Sequence, residues 1–508
     1  MKNEWLNKAV FYEVYPSSFM DSDGDGIGDI NGISQKLEYI KDLGCTAVWI
    51  NPMFASAWKD GGYDVTNHKK VDKRLGTNEE LFALFKKAHN LDMRVIIDLV
   101  PGHTSDKHPW FKSSCKPQKN KYTNRYIWTD SVYDQPEGFK TVNGTTGRDG
   151  NYIINYFSSQ PALNYGFYKP EKPWQLPMEH PDCEATTEAL IDVMEFWLSN
   201  GCDGFRVDMA GTLVKNDPEG KGNIQLWQKI FGLVRPKYPE AVFVSEWFIF
   251  SQSFAAGFDT DFYHTPLFTR DGMGGYKDSY IGGERPDNDV FLQEFKELYE
   301  MFAGSGYFLS MFSGNHDFVR LTSCAEPVEA AIAIAVMLTL PNVPFLYYGD
   351  EIGLKHNFNL YSKEGGYYRT GCRTPMQWNS GYKNFGFSTA DAKKLFLPID
   401  AALNPQCAES CKSDKNSIFA HIRNLLALRN KYTELQVGAP FELLYSALNK
   451  PAFLYRRGMF VIAANAKPQS TQIPFNGEYS PVYSIGESAV INNGQIEIPA
   501  RSFSIFKI

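Results

Sequence analysis

Short apolar segments alternate with amphipathic segments along most of this chain, and that alternation limits its possible folds more than any other feature. Seven segments are rich in β-branched and aromatic residues, as buried strands are: 10–15, 47–50, 95–100, 205–207, 242–244, 307–312 and 343–348. A weaker eighth segment lies near 258–263. Helical periodicity lies between them, as in 79–90, which begins with the capping-box pair Thr77 and Glu80. We therefore expect eight parallel strands closed into a (β/α)8 TIM barrel.

Two stretches depart from this alternation. After residue 100 no helical pattern returns until about residue 187, and a structureless loop of that length is improbable. Beyond residue 432 the pattern becomes that of short strands, at 453–456, 460–463 and 496–505. We predict barrel segments 1–103 and 181–434, a small domain inserted after strand 3 (104–180), and a C-terminal antiparallel β-sandwich domain (435–508).

Composition argues against several classes of protein. The net charge of −7 does not suit nucleic acid or an anionic membrane surface. The start of the chain lacks the apolar core of a signal peptide, and the most apolar run, 331–340, is shorter than the roughly 20 residues that span a bilayer. The eight cysteines are scattered, which is typical of reduced thiols. We expect a cytoplasmic protein with no membrane or nucleic-acid partner, and a monomer or weak homo-oligomer.

Polar residues lie at the predicted C-terminal ends of the strands, where a barrel of this kind carries its function. Arg206 and Asp208 are two residues apart on one strand, so both face the same side. The arginine would keep the aspartate ionised, as a nucleophile requires. Glu246 ends the next strand, where a less polar site would keep it protonated as a general acid. Further polar residues at strand ends are His103, His316 and Asp317. Any one of these residues could instead cap a helix; the whole set indicates a catalytic site.

The ensemble resembles the α-amylase family of glycoside hydrolases, family 13. The matching motifs are DLVPGHTS (98–105), GFRVDMAG (204–211), SEW (245–247), FSGNHD (312–317), GGYD (61–64), QPALN (160–164) and VPFLYYGDEIG (343–353). RTPMQW at 373–378 is similar to the branch of oligo-1,6-glucosidases, α-glucosidases, trehalose synthases and neopullulanase-like enzymes.

The resemblance implies a retaining mechanism on the α-glucosidic bonds of short α-glucans such as maltose, isomaltose and malto-oligosaccharides. Asp208 would be the nucleophile, Glu246 the acid/base and Asp317 the third carboxylate, with no organic cofactor. The implied substrate-binding residues are Asp60, Tyr63, His103, Arg206, His316 and Arg373.

Four departures from the family pattern affect this expectation. Gly102 and Ala162 replace the Asn and Asp of the family's first and fifth motifs, which puts the calcium site between barrel and inserted domain in doubt. Gly211 and Thr212 stand where endo-acting amylases often carry Lys-His, which favours short substrates. Met209, next to the nucleophile, matches neither the Val associated with α-1,6 linkages nor the small residues associated with α-1,4 linkages.

A separate acidic loop near the N-terminus has the ligand spacing of an EF-hand, although Gly32 replaces the usual final Glu. Its predicted ligands are Asp21, Asp23, Asp25, Ile27 (through its backbone oxygen) and Asp29. Carboxylates packed this closely repel one another without a cation. We predict a structural Ca²⁺, or Mg²⁺, far from the chemistry; the alternative is a solvated acidic turn.

Other functions remain open at this stage. A transglycosylase or isomerase of the trehalose-synthase type would share every catalytic residue, and an endo-amylase with unusual subsites would share the fold. A non-catalytic carbohydrate-binding or transporter-partner subunit is disfavoured because all three carboxylates are present. A phosphorylated disaccharide substrate would need basic residues near the rim, for which the candidates are Lys59, Lys69, Lys70 and Lys73.

Overall fold

The computed structural model describes residues 4–263, 288–448 and 450–508. Eight parallel strands form a closed barrel: β1 (Phe11–Val14), β2 (Ala47–Ile50), β3 (Arg94–Leu99), β4 (Gly204–Val207), β5 (Val242–Ser245), β6 (Thr260–Phe262), β7 (Phe308–Phe312) and β8 (Val343–Tyr347). Each strand pairs with its neighbours in the chain, and β1 closes on β8 with Phe11 opposite Phe345. The predicted barrel is confirmed, including its weak sixth strand.

A helix follows each strand: α1 (Ile30–Leu43), α2 (Asn78–Asn90), α3 (Pro181–Ser199), α4 (Lys221–Val234), α5 (Phe250–Ala256), α6 (Asn288–Phe302), α7 (Pro327–Thr339) and α8 (Ile418–Lys431). The predicted capping box of α2 is present, with Thr77 and Glu80 each accepting from the other's backbone N–H. Helix α3 begins at Pro181, earlier than its periodicity indicated, because proline is favoured in the first helical turn.

The barrel interior explains why polar groups gather at one end. Side chains that alternate inward along the strands, such as Phe11, Trp49, Ile96, Val244 and Phe345, form an apolar layer. Toward the C-terminal ends of the strands, the same alternation points polar residues inward: Glu13, Asn51, Asp98, Arg206, Asp208 and Glu246. These residues form a polar layer directly above the apolar one.

The segment between β3 and α3 has its own small core, as the sequence predicted. It contains a short helix that no periodicity in the sequence indicated, Pro109–Ser114, and a hairpin of Lys140–Val142 with Tyr152–Ile154. Its apolar cluster contains Ile127, Ile153, Ala162, Phe167 and Trp174. A second hairpin, Phe54–Ser56 with Val65–Val71, follows β2.

The C-terminal region is antiparallel, as predicted. Its strands are β9 (Glu442–Tyr445), β10 (Ala452–Arg457), β11 (Phe460–Asn465), β12 (Thr471–Pro474), β13 (Ser480–Ile485), β14 (Val490–Asn492), β15 (Gln495–Ile498) and β16 (Ser502–Lys507). They form sheets of order β9-β10-β11-β16-β13 and β12-β15-β14. The predicted single strand 496–505 is wrong, because the chain turns at Arg501, whose φ is 48°, and changes sheet.

In the part of the chain that the structure describes, no helix has the length and apolar character needed to cross a membrane.

Candidate active site

A cavity of about 460 Å³ opens at the C-terminal ends of the barrel strands. It is lined by Asp60, Tyr63, His103, Tyr156, Phe157, Asp208, Met209, Glu246, Asp317, Tyr367, Tyr368 and Arg369. The three predicted catalytic carboxylates therefore share one pocket with three of the predicted substrate-binding residues. The other three, Arg206, His316 and Arg373, lie directly behind this lining and contact it.

Arg206 organises the carboxylates at the base of the pocket. One of its terminal nitrogens lies 3.0 Å from Asp208 and 2.8 Å from Asp98, and the other lies 2.7 Å from Glu246. The guanidinium is 3% exposed, so these pairs are poorly screened by water. The inward alternation of β3, β4 and β5 is what brings Asp98, Arg206 and the two predicted catalytic residues to one point.

Burial sets the protonation of the two carboxylates. It raises the pKa of Asp208 to about 6, although Arg206 opposes that shift. It raises the pKa of Glu246 to about 7, again against Arg206, and the nearby Asp208 charge adds to the rise. Because the pKa of Glu246 is the higher, the pair loses its first proton mainly from Asp208. One ionised and one protonated carboxyl group is the arrangement that a nucleophile and a general acid require.

Asp317 is held differently, by two arginines. Arg369 and Arg373 donate to the same oxygen, Oδ1, over 2.8 and 3.2 Å. Burial opposes the ionisation of Asp317, but the surrounding cationic groups hold its pKa well below the usual range. Asp317 is therefore a permanently ionised hydrogen-bond acceptor at the side of the pocket.

The two predicted histidines are buried and neutral. Burial lowers the pKa of His103 to about 4, and its Nε2 lies 3.2 Å from the carbonyl oxygen of Tyr63. Burial also lowers the pKa of His316, whose ring stacks on Tyr63 with centroids 5.4 Å apart. Neutral imidazoles can present either a donor or an acceptor to sugar hydroxyls.

Sequence reasoning missed several residues of this site. Arg369 joins Asp317 to Asp60, with its second terminal nitrogen 2.7 Å from Asp60 Oδ1. It lies four residues before Arg373 in the 3₁₀ helix Tyr367–Arg373, and that spacing is the sequence feature that could have indicated a role for it. Phe157 and Tyr367 stack at the mouth of the pocket with ring centroids 5.1 Å apart. They come from two loops without periodicity, and nothing local in the sequence indicated that they meet.

The junction between barrel and inserted segment is held by an ammonium group. Lys215 donates to the carbonyl oxygen of Thr212 over 2.6 Å and to Asn155 Oδ1 over 3.2 Å. Asn155 in turn donates to the carbonyl oxygen of Gly102 over 2.9 Å. A Cβ at position 102 would lie 2.8 Å from the Asn155 amide nitrogen, so a larger residue would displace that amide from its present position. Gly102, which replaces the Asn of the family's first motif, therefore lies at a contact centred on the Lys215 ammonium group.

The acidic N-terminal loop brings three of its predicted ligands together. Carboxylate oxygens of Asp21, Asp23 and Asp29 lie within 4.8 Å of one another. Asp25 is not among the three; its Oδ1 accepts from the backbone N–H of Ile27 over 2.8 Å. Burial raises the pKa of Asp29, and the neighbouring Asp23 charge adds to the rise. The converging carboxylates are a donor set of the kind that hard cations prefer.

The parallel eight-stranded barrel and the two adjacent carboxylates at the base of its pocket match the arrangement that glycoside hydrolases use. The chain belongs to the α-amylase family, since the description "Alpha amylase, catalytic domain" matches residues 13–438. Alpha-amylase 3 of Dictyoglomus thermophilum is 31% identical over 85% of this chain and 79% of its own. Trehalose synthase/amylase TreS of Mycobacterium tuberculosis is 30% identical over 99% and 90%. Oligo-1,6-glucosidase of Heyndrickxia coagulans is 28% identical over 87% and 88%.

Solved structures agree on the fold. Trehalulose synthase from Pseudomonas mesoacidophila superposes with a TM-score of 0.84 over 99% of both chains, at 24% identity.

Proposed function

We propose that this enzyme hydrolyses α-glucosidic bonds of short α-glucans from the non-reducing end, with retention of configuration. The observation that carries the proposal is that Asp208 and Glu246 each pair with one terminal nitrogen of Arg206 at the base of the pocket. Arg369 lies along the side of the same pocket, where it pairs with Asp60. Asp208 would attack the anomeric carbon. Glu246 would protonate the leaving oxygen and then activate water. Retention requires the two carboxyl groups to lie about 5–5.5 Å apart.

The Arg369 side of the pocket supports action at a chain end. Asp60 accepts from Arg369 through Oδ1 over 2.7 Å and from Gln160 through Oδ2 over 2.6 Å. Arg369 also donates to Asp317 over 2.8 Å. This ion-paired wall offers donors and acceptors to the hydroxyls of one terminal sugar, which supports action at a chain end.

The leaving-group side supports short substrates. Glu246 is followed by Trp247, whose indole packs against Gly211, and a Cβ at position 211 would collide with that ring. The lysine that endo-acting amylases often carry at this position therefore has no space here. Met209 has a left-handed backbone, with φ 44°, and donates its N–H to Glu246 Oε2 over 3.1 Å. Its side chain lies in the pocket lining beside the nucleophile, where it would influence linkage preference.

Sugar release from maltose, isomaltose, trehalose and maltoheptaose, with Asp208→Asn as the blank, tests the proposal. Glucose from the short substrates that is absent with the variant supports it, and the maltose-to-isomaltose ratio reports the linkage preference beside Met209. Internal fragments from maltoheptaose, with little attack on disaccharides, would instead indicate an endo-amylase. No product from any substrate with folded protein would reject the proposal.

Transglycosylation is a second candidate. The stacked pair Phe157 and Tyr367 at the pocket mouth could hold a departing sugar against the glycosyl-enzyme and exclude water. This chain also matches the relative named trehalose synthase/amylase over 99% of its length, which supports transglycosylation as a candidate. New disaccharides formed from concentrated maltose would identify this activity, and their absence beside rapid glucose release would exclude it.

The structure weakens the phosphorylated-substrate alternative. Lys59 forms an ion pair with Asp106 at 2.9 Å, and Lys69 pairs with Asp192. Two of the four candidate lysines are therefore already neutralised by carboxylates.

The eight cysteines all lie within the described residues and form no disulfide, which supports action in the reducing cytoplasm.

The pH dependence of kcat/KM should be bell-shaped, with an acid limb near pH 6 and an alkaline limb near pH 7. The acid limb reports ionisation of the nucleophile, because burial raises the pKa of Asp208 to about 6. The alkaline limb reports loss of the acid proton, because burial raises the pKa of Glu246 to about 7. The two limbs belong to the interacting pair. A profile flat from pH 5 to pH 8 would contradict these assignments.

The acidic loop would hold a structural Ca²⁺ through Asp21, Asp23 and Asp29, with Asp25 and the Ile27 carbonyl as further ligands. The cation would neutralise carboxylates that otherwise repel one another next to the start of α1. Asp29 also caps α1 by accepting from the Gly32 N–H over 2.7 Å. A metal that orders the loop would therefore also stabilise the start of α1.

Calcium should raise the Tm of EDTA-treated protein, since about 2.7 kcal/mol is gained at a free ligand concentration about 100 times Kd. Asp23→Asn should abolish most of that increase, because it removes one of the three converging carboxylates. Asp130→Asn, at an exposed site in the inserted segment, is the control and should respond to calcium as the wild type does. Equal Tm values with Ca²⁺ and with EDTA would support the solvated-turn alternative.

A further inference from the structure

Glu13 is a buried acid beneath the pocket to which the proposed mechanism gives no role. It alternates inward on β1 and is fully shielded from solvent. Its Oε1 lies 2.7 Å from Nδ1 of His316. Its Oε2 has no hydrogen-bond partner among the described residues. A charged carboxylate with one oxygen left unsatisfied in such a place would be costly, whereas a neutral carboxylic acid would be much less so.

The amide of Asn51 also lies beside His316 Nδ1. The amide nitrogen of Asn51 lies 3.4 Å from Asp98 Oδ2, and Asp98 pairs with Arg206 at 2.8 Å. An ionised carboxylate only accepts hydrogen bonds, so the nitrogen of Asn51 must be the atom that faces it. That nitrogen also lies 3.1 Å from His316 Nδ1. This amide can donate to a bare Nδ1, so its position agrees with an Nδ1 that carries no hydrogen.

The other ring nitrogen gives the same answer. His316 Nε2 lies 3.2 Å from Asp317 Oδ2 and 2.6 Å from Tyr63 Oη. Asp317 is held ionised by Arg369 and Arg373, so it can only accept. Nε2 therefore carries the hydrogen, and the neutral ring has no proton on Nδ1.

We infer that Glu13 is a protonated carboxylic acid that donates to Nδ1 of His316 and so fixes the tautomer whose Nε2–H faces Asp317 and Tyr63 of the pocket lining. Glu13 is in this sense a positioning residue for the third carboxylate and its histidine. The inference rests on the proposed roles of His316 and Asp317 in sugar binding.

The surroundings of Glu13 agree with this protonation state. Burial raises its pKa well above the usual range, and the charges of Asp98 and Asp317 add to that rise. The nearby Asn51 amide and the Arg206 charge oppose it. If Glu13 were ionised, it would take a hydrogen bond from Nδ1–H. The lone pair of Nε2 would then face the Asp317 carboxylate, and Asp317 would lose the N–H that lies beside it.

Two substitutions separate this role from simple packing. Glu13→Gln keeps the shape and an N–H donor for Nδ1, and it should retain kcat within about threefold of wild type. Glu13→Met fills a similar volume without a donor, and kcat on maltose should fall roughly 10- to 100-fold, the range typical when a functional histidine loses the group that orients it. Thermal unfolding of both variants shows whether the fold is retained.

Imidazole ¹⁵N NMR reads the tautomer without relying on activity. The His316 signals are assigned by their loss in His316→Gln. Wild type and Glu13→Gln should show a bare Nδ1 and a protonated Nε2 at pH 7, and Glu13→Met should show a mixture. A protonated Nδ1 in the wild type, or unchanged kcat in a folded Glu13→Met, would overturn the inference. Failure of the wild type to hydrolyse any α-glucoside would instead overturn the proposed function and leave the tautomer result to stand by itself.

Discussion

Asp208→Asn is expected to lower turnover of maltose by roughly 10⁴-fold or more, the scale on which enzymes lose activity when their nucleophile is removed. The asparagine has nearly the same shape and can still accept from Arg206, but it cannot form the covalent intermediate. Initial rates of glucose release from equal amounts of wild type and variant measure the effect.

The fold of this variant should persist. Burial raises the folded-state pKa of Asp208 to about 6, so the stabilisation that comes with its protonated form is lost as the pH rises through that value. At pH 7 the wild type therefore carries a buried charge that the asparagine lacks, and the variant should unfold at no lower temperature.

Asp203→Asn is the matched control. Asp203 is also a buried aspartate next to β4, but it pairs with Arg94 and His89, each at 2.8 Å, and does not line the pocket. That variant should lose stability and keep its turnover. Comparable turnover in Asp208→Asn and wild type would reject Asp208 as the nucleophile.

Arg206→Met should have the second large effect, on both stability and activity. It leaves Asp98, Asp208 and Glu246 without the cation that contacts all three. Removing one partner of a buried ion pair typically costs about 3–5 kcal/mol. An opposite charge at this distance lowers a carboxyl pKa by about 1–3. Because the pKa of Asp208 is about 6 with Arg206 in place, loss of that charge should reduce the ionised fraction of Asp208 at pH 7 by roughly 2- to 100-fold. The acid limb of the kcat/KM profile should move to higher pH.

Arg320→Met separates the two effects. Arg320 is fully buried and pairs with Asp350 at 2.9 Å, and it contacts neither Asp208 nor Glu246. Arg320→Met should therefore lower Tm by about as much as Arg206→Met does, and it should leave the pH profile of kcat/KM unchanged. Arg206→Lys supplies a folded alternative if the methionine variant is too unstable, since it keeps the charge but cannot reach both catalytic carboxylates. An unshifted profile in a folded Arg206→Met would contradict the assigned role, whereas Arg206→Lys, which keeps the charge, should shift the acid limb less.

Much of the barrel and its central polar layer could be predicted because strand alternation is a local property. The spacing of Arg206 and Asp208 places both inward whatever the rest of the chain does, and the structure brings them together at 3.0 Å. Glu13 had the same signal, a lone acid in an otherwise apolar strand, and it could have been included by the same reasoning.

Loops account for what could not be predicted. Arg369, Phe157 and Tyr367 meet in space through segments whose course depends on tertiary packing rather than on local periodicity. The error at 496–505 has a related cause, because the turn at Arg501 contains too few residues to interrupt an apolar pattern.

The most direct test of the central claim is covalent trapping. A fluorinated α-glucosyl fluoride, which forms the glycosyl-enzyme readily but releases it slowly, should inactivate the protein and add one glucosyl unit to a single peptide. Peptide mass mapping should place that label on Asp208, and ¹H NMR with an aryl α-glucoside, whose leaving group is not a sugar, should show α-glucose as the first product. A label on Glu246 or Asp317, or β-glucose as the first product, would contradict the retaining mechanism proposed for Asp208 and Glu246.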